Sequence, residues 1–214
     1  MAESTLSFVR HRVVNDFSLV HALLGMAMRK TKDPQAERLF RASRGRVRVI
    51  ALLHAVAWRP ETGEPNATDA SAYLNEIVRE AERARGTHDR VHVDVETQGI
   101  ALSLAETAAV GLCVSELVQN SLEHAFPAGR QGRVQVKLGR CDDGGADLLL
   151  RVADDGVGMP PDGAETSNGL GLDLVRLLAE QLSGKLTFES NEGQGTDFRL
   201  RFASTEESRS WQTS

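Results

Sequence analysis

The chain has 214 residues and 41% hydrophobic content, enough to enclose a substantial core, and its net charge of −5 conceals a basic N-terminal part: residues 1–60 carry 11 Lys and Arg against 4 Asp and Glu. Its longest apolar runs are too short to cross a bilayer, and residues 1–9 lack the order of a signal peptide, which predicts a cytoplasmic protein without a membrane segment. Two cysteines, Cys113 and Cys141, are too few for a disulfide framework, and scarce aromatic residues without a nucleic-acid motif argue against a nucleic-acid partner.

The first predicted element is a long amphipathic helix that ends near Arg29 and Lys30, where cations suit the C-terminal end of the helix dipole. Asp33 then caps a second helix that has Pro34 at its first position. The connection is short, so the two helices should form an antiparallel hairpin. The apolar stripe of the first helix consists of Leu6, Val9, Val13, Phe17, Val20, Leu24 and Ala27, and that of the second runs through Leu39, Ser43, Val47, Ile50, His54 and Ala57.

A hairpin of two helices cannot enclose a core alone. We therefore expect it to pair with the same hairpin of a second chain, which gives a four-helix bundle and a homodimer. The basic charge of this segment is either a set of solvated helix faces or a surface that receives an acidic partner domain.

The remaining sequence predicts an α/β sandwich, with helices on one side of a mixed, largely antiparallel sheet. Helices are expected near 69–83, 104–125 and 170–182, and strands near 91–95, 133–139, 147–153, 185–189 and 196–202. The fold class is thus α+β: a hairpin at 1–60, a linker at 61–68 with prolines and a glycine, the sandwich at 69–203 and a flexible tail at 204–214.

Polar residues on the helix at 104–125 are candidates for a metal site. Glu116, Asn120 and His124 are spaced four residues apart and lie on one helix face. A carboxylate and an amide carbonyl are hard oxygen ligands that suit Mg²⁺, which usually shares phosphate oxygens with a nucleotide.

Two glycine-containing blocks complete a candidate nucleotide site. Asp154 follows a buried strand, where its carboxylate can accept a hydrogen bond from an adenine amino group, and Gly156 and Gly158 let the backbone pass close to the base. The second block, Gly169-Leu170-Gly171, opens a helix whose free N–H groups suit phosphate.

The order of these blocks, with Gly195-Thr196 before the last strand, resembles the N, G1 and G2 boxes of the GHKL ATPase superfamily, which includes gyrase, Hsp90 and histidine kinases. The run Arg10-His11-Arg12-Val13-Val14-Asn15-Asp16 resembles the phosphoacceptor motif of HWE-like histidine kinases, and the segment from Arg46 to His54 resembles their second hairpin helix. His11 lies two positions from Val9 and from Val13, which directs it away from the apolar stripe.

The resemblance implies a two-component histidine kinase that autophosphorylates His11 from MgATP and passes the phosphoryl group to an aspartate of a response regulator. It also implies that Asn120 holds Mg²⁺, Glu116 orients a metal-bound water or the ion, and His124 lies among the ATP-binding residues. The other implied nucleotide contacts are Asp154, Gly156, Gly158, Gly169, Leu170, Gly171 and Thr196.

Two positions depart from the family pattern. Phe8 stands where a glutamate is usual, three residues before the histidine, and Glu123 stands where a lysine is usual, three residues after the asparagine. Only ten residues precede His11, so we expect no sensor domain within this sequence. Either the input comes from a separate sensory or regulatory protein, or the sequence is a fragment of a longer protein. Two alternatives stay open: a histidine phosphotransferase with weak or lost ATP use, and an anti-sigma-type serine kinase.

Overall fold

The structure, a computed structural model, describes residues 2–56, 68–85, 90–141, 147–159 and 170–203, with the backbone only at residues 2–11, 56, 68 and 69. The predicted linker up to residue 67, Gly169 and the predicted tail at 204–214 lie outside the described residues. The side chains of Phe8 and His11 lie outside them as well.

The N-terminal part is the expected helical hairpin, with α1 at Ala2–Lys30 and α2 at Pro34–Val56. The cap predicted at Asp33 is confirmed, because its Oδ1 accepts a hydrogen bond of 2.8 Å from the backbone N–H of Gln35. Inside the hairpin, the rings of Phe17 and His54 lie 5.4 Å apart, and Arg44 Nε donates to His21 Nε2 at 2.9 Å. The seam between the helices is therefore partly polar.

A second face of α2 packs on the rest of the chain. Val49 and Leu53 are 5% and 2% exposed and belong to the same hydrophobic core as the helices of the sandwich. The hydroxyl of Tyr73 donates to the carbonyl of Val49 at 3.1 Å. Because one stripe of α2 contacts α1 and another contacts the sandwich, the hairpin is docked within a single chain, an arrangement that the sequence analysis missed.

The sandwich contains seven strands and three α-helices among the described residues. They are β1 (Thr68–Asp69), α3 (Ala70–Arg85), β2 (Val91–Thr97), β3 (Ala101–Leu102), α4 (Leu104–Asn120), β4 (Gly132–Arg140), β5 (Asp147–Asp154), α5 (Leu170–Gln181), β6 (Lys185–Asn191) and β7 (Gly195–Ala203). A π-helical turn, Ser121–Ala125, follows α4, and a 3₁₀ turn, Pro127–Gly129, comes next.

Five strands form one sheet in the order β2-β4-β5-β7-β6, in which only the β2–β4 pair is parallel, and β1 pairs with β3 separately. Alternation buries one face of each central strand, as at Val134, Val136 and Leu138 of β4. The helices cover that face. The predicted fold class, a helical region followed by a mixed α/β sheet, is confirmed. No helix in the described part of the chain combines the length and apolarity needed to span a membrane.

The helix predicted at 104–125 has the expected extent, but its last turn is π-helical rather than α-helical. It begins as expected, with a capping box between Ser103 and Glu106, but α4 ends at Asn120 and the chain continues as the π turn. The carbonyl of Ala125, at the end of this turn, accepts from the N–H of Val157 at 2.9 Å, a contact with the loop after β5. Helical periodicity does not encode such a long-range contact.

Candidate nucleotide-binding site

Asp154 is the last residue of β5 and the centre of a hydrogen-bond network. Its Oδ2 accepts from Ser121 Oγ at 2.8 Å, and its Oδ1 accepts from the backbone N–H groups of Gly156 at 3.1 Å and Thr196 at 3.3 Å. Burial raises the pKa of this carboxyl group above its usual value, although the three hydrogen bonds oppose the shift. A carboxylate has about four acceptor positions, so it retains capacity for one more donor.

Thr196 is held by a second serine. It lies opposite Asp154 in the β5–β7 register and is 7% exposed, and its Oγ1 is 3.0 Å from Ser190 Oγ. That serine also accepts from the N–H of Met159 at 2.8 Å and donates to the carbonyl of Gly195 at 3.1 Å. Thr196 and Asp154 were predicted from the sequence, whereas Ser121 and Ser190 were not, since isolated serines carry no spacing signal.

The two glycines after Asp154 pack closely against other parts of the chain. A Cβ on Gly156 would lie 2.4 Å from Cβ of Ala125, and Gly158 has φ +73° with the carbonyl oxygen of Asn191 2.2 Å from such a Cβ. Both positions therefore require glycine for the fold. Their expected approach to an adenine base stays a prediction.

Glu116 and Asn120 converge beside Gly171, the second residue of α5. A Cβ on Gly171 would lie 2.7 Å from Glu116 Oε2 and 3.9 Å from Asn120 Nδ2, so the glycine leaves room in front of both side chains. A carboxylate and an amide at such a space fit the donor set of a Mg²⁺ ion. Among the described residues no group of three or more His, Cys, Asp or Glu side chains could hold a metal, so phosphate oxygens would have to supply further ligands.

Glu116 already has a partner, and the sequence did not reveal it. Arg46 of α2 donates through Nε to Oε1 and through one terminal nitrogen to Oε2, both at 2.9 Å. The hydrogen bond that Arg46 donates to Glu116 raises the pKa of Arg46, and the pair is partly buried, with side chains 23% and 10% exposed. Arg46 also reaches the carbonyl of Leu170 at 3.4 Å. The hairpin thus touches the candidate metal site directly.

His124 and Glu123 lie on the π turn and are both exposed. Glu123 forms a hydrogen-bonded ion pair with Arg85 at the end of α3. The pKa of Glu123 is lowered: burial acts to raise it, but the hydrogen bond and charge of Arg85 outweigh that effect. A negative charge at this position is therefore compensated within the chain.

An apolar cleft of about 130 Å³ borders the site between α5 and the last two strands. One of its lining residues is Met159, whose backbone N–H donates a hydrogen bond to Ser190 Oγ. The other lining residues are Leu172, Arg176, Leu186, Phe188 and Phe198. The polar groups around Asp154 thus have a small apolar cleft beside them.

The backbone of His11 lies on α1, ten residues before His21, which corresponds to about 15 Å of helix. His21 contacts Arg44, and Arg46 follows two residues later on the antiparallel α2. The structure therefore brings Asp154 and Thr196 together in one group, and Glu116, Asn120 and Gly171 together in another. The backbone of His11 is separated from the level of Glu116 by roughly 10 Å or more along the hairpin axis.

Comparisons with known proteins match nearly the whole chain. Residues 9–84 match the family model described as histidine kinase (HisKA_2), and residues 105–206 match the histidine kinase-, DNA gyrase B- and HSP90-like ATPase model. Relatives include the sensor histidine kinase PdtaS of Mycobacterium tuberculosis, 31% identical over 93% of this chain, and blue-light-activated histidine kinase 2 of Erythrobacter litoralis, 28% identical over 89%. The chain spans 39% and 54% of the lengths of these two relatives.

Solved structures agree in fold. The blue-light-activated histidine kinase EL346 of Erythrobacter litoralis matches with a TM-score of 0.69 at 25% identity, over 98% of this chain and 62% of that one. The separate histidine kinase domain of the same protein matches with a TM-score of 0.68 at 24% identity, over 90% of this chain and 98% of that one.

Proposed function

The chain belongs to the histidine kinases, with a HisKA_2 segment followed by a GHKL-type ATPase segment, and on this premise we propose that it phosphorylates itself on His11 from MgATP and passes the phosphoryl group to an aspartate of a response regulator. The observation that carries the proposal is the network around Asp154. Three donors fix a partly buried carboxylate whose remaining acceptor position suits an adenine amino group.

The proposed contacts are those that the resemblance to the family implies. Asp154 accepts from adenine, Thr196 braces that carboxylate, and Gly156 and Gly158 shape the adjoining loop. The phosphates lie at the start of α5, where their proposed contacts are Gly169, Leu170 and Gly171, and His124 is a further proposed nucleotide contact. Asn120 holds Mg²⁺, with Glu116 as a further ligand or as the group that orients a metal-bound water. When bound, the ion neutralises charge on the phosphates.

His11 supplies the nucleophile. A ring nitrogen of the neutral imidazole donates its lone pair to the γ-phosphorus, the bond from that phosphorus to the bridging oxygen breaks, and ADP leaves with the electron pair. The ring proton passes to solvent or to a nearby base. Transfer to an aspartate carboxylate oxygen of the response regulator then restores the free imidazole.

A homodimer is the proposed assembly. Four large apolar side chains of α1 are exposed in the single chain: Leu19, Val20, Leu23 and Met26, at 60%, 43%, 54% and 46%. They recur at helical spacing, so a second hairpin can bury them in a four-helix bundle. Val20, which the sequence predicted in the apolar stripe of the first helix, lies with this exposed set.

The proposed partners are a response regulator receiver domain and a separate sensory or regulatory protein. A cytoplasmic location is proposed because MgATP is the phosphoryl donor. The basic charge of residues 1–60 offers the receiver domain a surface that would attract acidic side chains.

Incubation with MgATP labelled in the γ-phosphate tests the proposal. We expect acid-labile, base-stable label on the wild-type protein and none on His11→Ala, which should still bind ADP because a surface histidine adds little stability. Label that survives acid on a serine would favour the serine-kinase alternative, whereas ADP binding without any label would favour a protein that only relays phosphoryl groups.

A further inference from the structure

Arg46 joins the hairpin to the metal side of the nucleotide pocket through a single carboxylate. Its guanidinium occupies both oxygens of Glu116, in the bidentate arrangement that gives the strongest hydrogen bonds between ionised groups. Arg46 lies on α2, whereas Glu116 lies on α4 beside Asn120 and Gly171. Through this ion pair, the hairpin that carries His11 contacts a candidate metal ligand directly.

Glu116 cannot serve both partners fully. A carboxylate whose two oxygens each accept from a guanidinium has its charge compensated and its most favourable lone pairs in use. An Mg²⁺ ion beside the same oxygens would face the positive charge of Arg46 at short range. Binding of a cation at Glu116 and pairing with Arg46 therefore oppose each other.

We propose that Arg46 is a positioning residue of the kinase: it withholds Glu116 from Mg²⁺ while the hairpin is docked as seen here, and it releases Glu116 when the hairpin shifts. The inference rests on the proposed function, since it takes Glu116 as a ligand of the magnesium nucleotide. Beyond that function, the inference is that the position of the hairpin determines how much Mg²⁺ increases the affinity for nucleotide.

The position of His11 explains why Arg46 would have to separate from Glu116 during the reaction. In the described arrangement the level of the Arg46–Glu116 pair is separated from His11 by roughly 10 Å or more along the hairpin. Phosphoryl transfer needs reacting atoms at contact distance, so the ATPase segment and the hairpin must move relative to each other. Such a movement separates Arg46 from Glu116 and frees the carboxylate. Because coupling between two sites is reciprocal, magnesium nucleotide binding should in turn loosen the docked hairpin.

The test measures binding of ADP to the full chain by calorimetry, in MgCl₂ and in EDTA. Arg46→Met should raise the affinity for ADP in MgCl₂ by a factor in the range of about 5- to 150-fold, the usual range for coupled sites, without raising it in EDTA. Arg46→Lys, which can satisfy only part of the carboxylate, should give a smaller rise.

The matched control is Arg48→Met, two residues along α2, where an exposed arginine lies 3.7 Å from Glu80 and does not contact Glu116. It makes the same change of charge and should leave both affinities unaltered. In a Glu116→Gln background, Arg46→Met should lose its effect, because the residue through which it acts is no longer charged.

Hydrogen exchange gives a second readout. MgADP should speed amide exchange in α2 of the wild-type protein more than ADP in EDTA does, and Arg46→Met should show the faster exchange without nucleotide. An affinity for MgADP that is unchanged or lower in Arg46→Met and Arg46→Lys, with both proteins folded, would overturn the inference alone. Failure of the wild-type protein to bind ADP under any condition would remove the proposed function and the inference together.

Discussion

Ser121 Oγ donates a 2.8 Å hydrogen bond to Asp154 Oδ2, and this contact ties the π turn after α4 to the end of β5. The backbone N–H groups of Gly156 and Thr196 fix the other carboxylate oxygen. The acceptor is thus oriented before any ligand arrives, which reduces the entropy that binding must overcome.

Asp154→Asn should weaken ADP binding. The amide can keep its oxygen toward the two N–H groups and its NH₂ toward Ser121, so the fold should survive, but the acceptor facing the adenine amino group becomes a donor. Loss of a charge-assisted hydrogen bond costs about 1.5–3 kcal/mol, or roughly 10- to 150-fold in Kd. Calorimetry checks the change. The neighbouring Asp155→Asn is the control, because its exposed side chain bonds the N–H of Arg133 instead. Equal losses in both variants would argue against the adenine assignment.

His21→Gln should change how stability depends on pH. Burial, followed by the charges of Arg44 and Arg48, lowers the pKa of His21 below 6.5. Between the folded and unfolded pKa values the unfolded chain binds more protons, so stability is full above about pH 6.5 and falls as the pH drops through that window. Glutamine keeps an acceptor for Arg44 Nε without titrating, so its loss of stability on acidification should be smaller.

Urea unfolding between about pH 7.5 and 5.5 measures this difference. His92→Gln is the control, since the His92 side chain is 71% exposed on β2. If His21→Gln and the wild-type protein lose stability in parallel, His21 does not titrate in this window. His54, whose pKa burial also lowers, would then be the next residue to substitute.

Leu23→Glu should convert the proposed homodimer into a monomer. Leu23 is 54% exposed in the single chain and lies in the apolar set of α1, so a bundle would bury its charge without a partner. Light scattering coupled to gel filtration at micromolar concentration reports the mass. Leu177→Glu, a 60% exposed leucine on α5, should leave the mass unchanged. A wild-type protein that is monomeric would remove the four-helix-bundle argument.

Exchanging the charges of the Arg85–Glu123 ion pair should measure what the pair contributes to stability. Glu123→Lys places two cations together and should destabilise the protein by about 0.2–1 kcal/mol, the range for partly exposed pairs, and adding Arg85→Glu should recover part of that loss. Denaturant unfolding of the two single variants and the double variant gives the coupling energy. A coupling of zero would show that the pair contributes nothing in solution.

Phe8→Glu should raise the autophosphorylation rate. A carboxylate three residues before His11 lies one helical turn away and can accept the imidazole proton, which phenylalanine cannot. General-base assistance contributes about 10²- to 10⁴-fold where proton removal limits the step, and less where it does not. Label incorporation over time measures the rate. Phe8→Gln, equal in size to glutamate but without its basicity, is the control and should gain little.

The sequence predicted the elements well where local chemistry determines them. Asp33 before Pro34 marked the start of α2, and the strands expected near 133–139 and 196–202 correspond to β4 and β7. It also predicted that Asp154 and Thr196 belong to one site, and the β5–β7 register places them opposite each other. The roles assigned to His11 and to the glycine at 169 stay predictions, because their side-chain positions or backbone lie outside the described residues.

What the sequence did not reveal are contacts between residues far apart in the chain. Arg46 and Glu116 are 70 positions apart, and each alone has the pattern of a solvated helix face. Arg85 with Glu123 is a similar case. The second apolar stripe of α2, with Val49 and Leu53, was hidden because a helix buried on two sides shows no single hydrophobic face.

Val49 and Leu53 also bear on how the molecule can be divided. Both fill the core shared with Tyr73 and the sandwich helices, so cutting the chain between α2 and α3 would leave an apolar surface open on the C-terminal piece. Heating should therefore melt α2 and the sandwich in one cooperative step. A chimaera that joins the hairpin of one related kinase to the sandwich of another should therefore fold only if the sandwich residues that contact Val49 and Leu53 come from the same kinase as the hairpin.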